Sequence, residues 1–475
     1  MFVSLFFPVF LGIVILCYFA LPAKCRPAIL FFASCVFCAS LDIRSLVILF
    51  ISILFTYCGG ILLEHAGKNS FRPGKIHFIL AVLLSLCLLL LLVFKYTGYI
   101  FQRFFPGLTF TQTLLPYFLM PIGFSFYLFQ MISYLVDVAK GKLAAEKNFI
   151  HLGCYLAFFP RLVSGPIERA GDFLPQLSAL SKIKFFDRGR LSTAFTYILW
   201  GYFMKMVVAD RLALLVNSLF GSMQEFDSFF LFLGMLFYTM QIYCDFAGYS
   251  NIAIGCAAIF GIRLTQNFAS PYQAASISEF WRRWHISLSS FLKDYIYIPL
   301  GGSRYGTFRK CLNTMIVFLL CGMWHGSGLN FVVWGLLHGI YSVIGTFLPS
   351  GRKYRVLTFF EAAFAWIFFR AESLSQALSY IRRMLTAGLQ PGSFSRSLKL
   401  LELDPAEIIV VTISILLILL IDEFCYRKKL SLPLLIQEKP NAARYLIFYL
   451  LLIGIFVFGV YGPGYQAEQF IYIQF

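Results

Sequence analysis

Between Cys311 and Gly351 the chain carries no Asp, Glu, Lys or Arg, a stretch of about forty residues. Roughly twenty apolar residues span the hydrocarbon of a bilayer at 1.5 Å per residue, so this one stretch is long enough to cross twice. A backbone inside lipid must satisfy its own N–H and C=O groups, which makes such runs helical. Comparable runs recur along the sequence: Phe2–Ala20, Ala28–Ala39, Ser45–Leu63, His77–Phe94, Tyr117–Val138, Ile150–Val163, Thr193–Val208, Phe229–Ile262, Val356–Phe369, Ile408–Ile421 and Tyr445–Tyr461. They predict an all-α polytopic membrane protein with about 11–13 membrane helices or re-entrant segments, organised as a single integral-membrane domain over residues 1–475. Ala28–Ala39 is short enough to be tilted or re-entrant, and Phe229–Ile262 is long enough for two segments around Gly248.

Only 13% of residues are charged, where a soluble domain carries about a quarter. That deficit excludes a disordered chain, a coiled coil and a disulfide scaffold. The remaining charge is a formal +17, spread between the apolar blocks rather than gathered in a dense tract. This is the pattern of membrane topology and not of nucleic-acid binding. Lys24/Arg26, Lys68/Arg72/Lys75 and Lys140/Lys142/Lys147 fall in every second loop, which places those loops in the cytoplasm. The charge-poor loop at Asp42–Arg44 falls outside, and Arg427, Lys428, Lys429, Lys439 and Arg444 precede the last span. Both termini are therefore expected outside the membrane, with Phe2–Ala20 a retained first span. Loop 95–103, with Lys95 and Arg103, is the exception to the scheme. The polar stretches Arg161–Arg190 and Arg370–Glu407 read as amphipathic helices at the headgroups. Cys35 and Cys38 form a C-x-x-C with no second pair, so packing is the expected role of the twelve cysteines.

Against this apolar background the ionisable residues within spans stand out, because each is costly in lipid. The long uncharged stretch holds Trp324-His325-Gly326, Asn330, Trp334 and His338. Counted from the basic edge at Arg309 and Lys310, His325 is ~15 residues in, or ~22 Å at helical rise. Gly326-Ser-Gly-Leu-Asn330 should break the helix there, and broken helices at membrane depth line cavities or are buried in protein. For His338, in a smoother run, a structural role is expected. A second constellation is Phe280-Trp-Arg-Arg-Trp-His-Ile-Ser-Leu-Ser289. Its Trp281, Trp284, Arg282 and Arg283 read as an interfacial anchor with arginines on phosphates, which leaves His285 unexplained. Asp245 stands alone in an uncharged run and needs a partner, for which Arg282, Arg283 or His285 are candidates. Arg161 and Arg169 flank a Gly-Pro turn. The residues present no zinc spacing and no phosphate-binding glycine loop, so no metal and no bound cofactor is expected. Neutral imidazoles in a chamber can move protons, and the natural task is deprotonating a hydroxyl that attacks an activated acyl group.

At these residues the sequence resembles the membrane-bound O-acyltransferase family, in the branch that acetylates bacterial polysaccharides. The resemblance runs through Pro121-Ile-Gly-Phe-Ser-Phe126, Phe159-Pro-Arg-Leu-Val-Ser-Gly-Pro166, Asp245-Phe-Ala-Gly-Tyr-Ser250, Asn267-Phe268, Pro271-Tyr272, the Trp281–Ser289 segment, Tyr297-Ile-Pro-Leu-Gly-Gly302, Trp324-His-Gly326, Phe368-Phe-Arg-Ala371 and Phe470-Ile-Tyr-Ile-Gln-Phe475. It implies helices around a central funnel or tunnel in a bacterial inner membrane, with the family's essential histidine at His325 and its second active-site position, Asn or His, at His285. Trp324, Asp245, Asn330, Arg282, Arg283 and Arg161 are candidates for supporting or substrate-binding roles. The implied reaction moves an acyl group, in this branch acetyl, from a cytoplasmic thioester such as acetyl-CoA toward a hydroxyl of a cell-surface polysaccharide. A separate extracytoplasmic protein is expected to complete the transfer. D-alanyl transfer to teichoic acid is the neighbouring alternative, and a transporter or flippase is the alternative from another class.

Overall fold

The computed structural model describes residues 2–4, 6–68, 73–104, 120–348, 351–389 and 393–461. Arg72, the first residues of the Tyr117–Val138 run and the tail Phe470–Phe475 lie outside them. Among the described residues there is no strand, and seven helices are long and apolar enough to cross a membrane. Phe6–Ala20 and Phe124–Ala139 are apolar but shorter. The chain packs as two compact units, residues 1–191 with 256–265 and residues 192–255 with 266–475.

The first unit contains α1 (Phe6–Ala20), α2 (Arg26–Leu41), α3 (Ile43–Lys68), α4 (Pro73–Phe104), α5 (Phe124–Ala139), α6 (Phe149–Ala157) and α7 (Ala170–Ala179). Local chemistry sets the ends of these helices. Asp42 accepts from the Arg44 and Ser45 amides at 3.1 Å each and starts α3, and Asn148 caps α6 through the Ile150 and His151 amides. The helices α3 and α5 approach closely at Gly60, where an added Cβ would lie 2.7 Å from the Tyr134 hydroxyl. Arg26 does more than mark topology. It is buried and donates to the Leu180 and Ile183 carbonyls at 2.6 and 2.9 Å.

Three sequence expectations are corrected here. Arg26–Leu41 is a full helix and, with the turn before it, a candidate span of 19 residues, longer than the short Ala28–Ala39 run suggested. Lys95 lies within α4, which continues through the residues expected to form a charged loop. Ile150–Val163 is helical only to Ala157, because Pro160 lacks an amide donor and biases Phe159 toward extended backbone.

The second unit is built from α8 (Arg188–Tyr202) from Ser192 on, a π-helix (Phe203–Ala209), α9 (Asp210–Gly221) and α10 (Ser228–Ile259) as far as Gly255. Two short helices follow, α11 (Ile277–Arg283) and α12 (Ile286–Leu292), then α13 (Gly306–His325) and α14 (Leu329–Phe347). The chain continues with α15 (Arg355–Arg370), α16 (Leu374–Thr386), α17 (Ser393–Leu400), α18 (Pro405–Lys428), α19 (Leu432–Gln437) and α20 (Asn441–Phe458). The 32-residue α10 is uninterrupted, contrary to the expected division at Gly248. That glycine serves close packing instead: a Cβ there would lie 2.8 Å from the Gly201 carbonyl oxygen. The expected break after His325 is present. Gly326 is extended and Gly328 precedes α14, so α13 and α14 form a hairpin. Gly322 and Gly335 bring their backbones together, since an added Cβ would come within 2.4 Å of the Phe331 and Phe318 carbonyl oxygens respectively.

Candidate active site

His285 occupies a kink between two short helices. Ser276 caps α11 by accepting from the Glu279 amide at 3.2 Å, and α11 ends when Trp284 turns to extended backbone. His285 then takes a left-handed conformation, φ 44°, which is disfavoured for a side chain of this size. Asn267 holds the kink in place. Its carbonyl accepts from the Ile286 amide at 3.0 Å and its side-chain oxygen from the Ser287 amide at 3.2 Å. Two of the amide groups left open at the start of α12 are satisfied in this way. The His285 ring is fully buried, edge-on to Phe246 with centroids 4.7 Å apart. Burial lowers its pKa to about 3, so the imidazole is neutral.

His325 is built differently. It is the last residue of α13, and the glycine after it ends the helix. Its ring is buried against Trp324, Trp334 and Phe369, with centroids 4.7, 4.9 and 5.2 Å away. Trp324 also lies 6.5 Å from the His285 ring, so the two histidines share one indole as a wall. Behind them Trp334 meets Trp366 at 5.7 Å and Trp366 meets Trp284 at 4.9 Å. The rings form a continuous aromatic support for both histidines.

The other candidates have definite places. The Asn330 side-chain amide donates to the Phe368 and Ala371 carbonyls at 3.2 and 2.8 Å, which ties α14 to the end of α15 where Phe369 is carried. Asp245 is buried and paired with Lys205 at 2.6 Å. Its expected partners were an arginine of the Trp-Arg-Arg-Trp segment or His285, and this is corrected. Arg283 is held by Glu279 at 2.9 Å and by the Ala269 carbonyl at 3.0 Å, while Arg282 is exposed. Trp281 and Trp284 are buried, with Trp281 Nε1 donating to His338 Nδ1 at 3.3 Å, so the segment is not the headgroup anchor its composition suggested. His338, for which a structural role is expected, is buried among Phe280, Trp281 and Trp334. Arg161 belongs to the first unit, buried over the Phe173 ring at 4.7 Å and donating to the Tyr155 carbonyl.

Two cavities adjoin these elements. One, of about 270 Å³, is lined by Tyr243, Phe268, Ser270, Arg283, Asp422 and neighbours, and Tyr243 donates to Asp422 at 2.8 Å on its wall. Phe268 on its wall meets Phe246 at 5.0 Å, and Phe246 meets His285 at 4.7 Å. The other, of about 240 Å³, is lined by Trp281, Lys293, Phe318 and Cys321, one helical turn before Trp324 and His325. Among the described residues no three His, Cys, Asp or Glu side chains are grouped to hold a metal ion.

Sequence reasoning placed Asn267, Phe246 and Phe369 in motifs without giving them a role, and did not name Lys205. Lys205 was discoverable as a lone charge inside the apolar run Thr193–Val208. The aromatic walls were not, because phenylalanines are spread through most of the spans.

Two buried imidazoles thus share an aromatic wall in a polytopic helical protein. Comparison with known proteins defines the class. The model of the membrane-bound O-acyltransferase family matches residues 147–366, which include both histidines. The chain is 36% identical to the probable alginate O-acetylase AlgI of Pseudomonas aeruginosa over 397 residues, covering 82% of this chain and 74% of that protein. It is 32% identical to the peptidoglycan O-acetyltransferase of Helicobacter pylori, covering 81% of this chain and 79% of that one. The teichoic acid D-alanyltransferase of Bacillus subtilis is 27% identical over 50% of this chain and 62% of its own length. The chain belongs to the membrane-bound O-acyltransferase family. It is a multi-pass membrane O-acyltransferase, and the carrier reading gives way to an enzyme.

Proposed function

We propose that this O-acyltransferase moves an acetyl group from a cytoplasmic thioester such as acetyl-CoA to a hydroxyl on the outer side of the inner membrane, in the service of a cell-surface polysaccharide. The similarity to proteins named for alginate and peptidoglycan O-acetylation, over about four-fifths of the chain, favours acetyl. Similarity to the D-alanyltransferase covers only half of it. The basic loops favour termini outside and a donor arriving from the cytoplasm. A separate extracytoplasmic protein would complete delivery to the glycan, and residues 1–475 would act as one integral-membrane domain.

The observation that carries the mechanism is the pair of buried histidines sharing Trp324. His325 takes the proton of the attacking hydroxyl as its oxygen bonds to the thioester carbon. The carbon–sulfur bond then breaks and His325 returns the proton to the leaving thiolate. His285, neutral because it is buried, donates an N–H to the carbonyl oxygen on which charge develops. The aromatic walls keep water from competing for the acyl group.

His325→Ala should lower acyl transfer by about 10²–10⁴-fold. The measurement is surface acetyl ester in cells together with the level of the protein in membranes. Near-normal ester in the variant removes His325 from the mechanism, and a parallel loss of protein assigns it to folding. Labelled D-alanine appearing on a surface polymer would replace acetyl with the second acyl group.

A further inference from the structure

Lys205 is buried in the π-helix Phe203–Ala209, with Nζ 2.8 Å from Asp210 Oδ1 and 2.6 Å from Asp245 Oδ1. Both carboxylates are buried. The π register is what permits the first pair. In an α-helix five residues turn about 500°, which would leave Asp210 roughly 140° around the axis from Lys205. Here the Asp210 amide donates to the Lys205 carbonyl, so the wider turn closes on the fifth residue and places both side chains on one face. Such turns interrupt regular helices mostly at functional sites.

The second pair crosses to α10, at the point where the two backbones touch. A Cβ on Gly248 would lie 2.8 Å from the Gly201 carbonyl oxygen and 3.1 Å from the Lys205 amide nitrogen. With no side chains between them, the helices could slide or rotate on one another. The Lys205–Asp245 ion pair beside this contact fixes one rotation and one register for α10. The next residue along, Phe246, is the ring that stands edge-on to His285 at 4.7 Å. Replacing a buried ion pair by apolar residues is often neutral for stability, so stability alone does not account for three buried charges in an apolar unit. An ionisable group at membrane depth is a functional feature by default.

We propose that Lys205, clamped between Asp210 and Asp245, is a positioning residue for acyl transfer: it sets the register of α10 so that Phe246 forms the wall against which His285 is held. This rests on the role given to His285 above. The test uses full-length protein purified in detergent, with acetyl-CoA as donor and thiol release as the signal, and measures kcat and donor KM separately. Lys205→Met should lower kcat by about 10–100-fold, the scale of a misplaced catalytic group, with donor KM changed less than about twofold. Lys205→Arg, which keeps a cation between the two carboxylates, should recover most of the loss. If Lys205→Met does not fold, the triple variant Lys205→Met/Asp210→Asn/Asp245→Asn removes all three charges at nearly constant volume. It should fold and still show the low kcat. Wild-type kcat in the folded single or triple variant overturns the proposal. His285→Ala measured alongside separates the two levels of argument. If it is inactive while Lys205→Met is normal, the positioning role alone falls; if it is fully active, the role of His285 falls and the positioning role with it.

Discussion

The two histidines share a wall but are held by opposite means. His325 ends a regular 20-residue helix, in ordinary geometry, and a glycine releases the chain immediately after it. His285 stands in a left-handed kink between two seven-residue helices, and Asn267, eighteen positions earlier in the chain, holds it there. The first seat is local and rigid because α13 and α14 touch backbone to backbone. The second is assembled from a distant latch and a strained residue. A strained conformation persists only where its surroundings over-determine it, and such positions gather at active sites.

The hairpin seat should be the more easily destroyed by added volume. Gly322→Ala puts a methyl 2.4 Å from the Phe331 carbonyl oxygen, which is backbone and cannot swing aside. Overpacking of this kind costs about 3 kcal/mol, and thermal unfolding of detergent-solubilised protein should show the largest drop of any variant considered in this comparison. Unchanged unfolding in Gly322→Ala would mean that the hairpin is looser than its contacts indicate. At the other seat Asn267→Ala strands the Ser287 amide and loosens the kink. It should cost about 1–3 kcal/mol. Acyl transfer by the protein that remains folded should fall about tenfold or more, since the kink at His285 then keeps only the bond from the Ile286 amide to the carbonyl of residue 267. A variant that loses stability but keeps full specific activity would show that the kink does not depend on the latch.

This difference also marks what the sequence could disclose. The uncharged Cys311–Gly351 stretch, its glycine break and the placement of His325 beside it followed from spacing alone, because the determinants are adjacent in the chain. The seat of His285 did not follow. Trp281, Trp284 and the two arginines match an interfacial anchor by composition, and only the contacts among distant elements reveal that the tryptophans are buried and that Arg283 is held by Glu279 and Ala269. Asp245 could be recognised as needing a partner, but Lys205 meets it from another helix forty positions earlier and is paired with Asp210 by a π turn whose register no hydrophobic periodicity encodes.

A paired substitution reads the backbone contrast directly. Glycine is about 1 kcal/mol worse than alanine inside a helix, so His325→Gly should unfold at lower temperature than His325→Ala. At position 285 the order should invert. Both replacements lose the same ring contacts, but alanine retains the left-handed penalty of about 1–2 kcal/mol and glycine does not. If alanine is the more stable replacement at both sites, the kink at His285 carries no strain.

The smallest expected effect concerns pH. Burial pushes the His285 pKa down from 6.5 to about 3, so its neutral form prevails throughout the neutral range and into mild acid. Loss of rate on acidification from pH 8 to pH 5 must then come from another group. His285→Asn keeps a neutral hydrogen-bond donor at the kink, in a side chain that tolerates left-handed backbone better than most. Its pH–rate profile should be lower than that of the wild type but parallel to it, with the acid limb at the same pH. An acid limb that disappears in His285→Asn would show that the ring takes up a proton during the reaction, making it a second proton carrier beside His325 and not a fixed donor to the acyl oxygen.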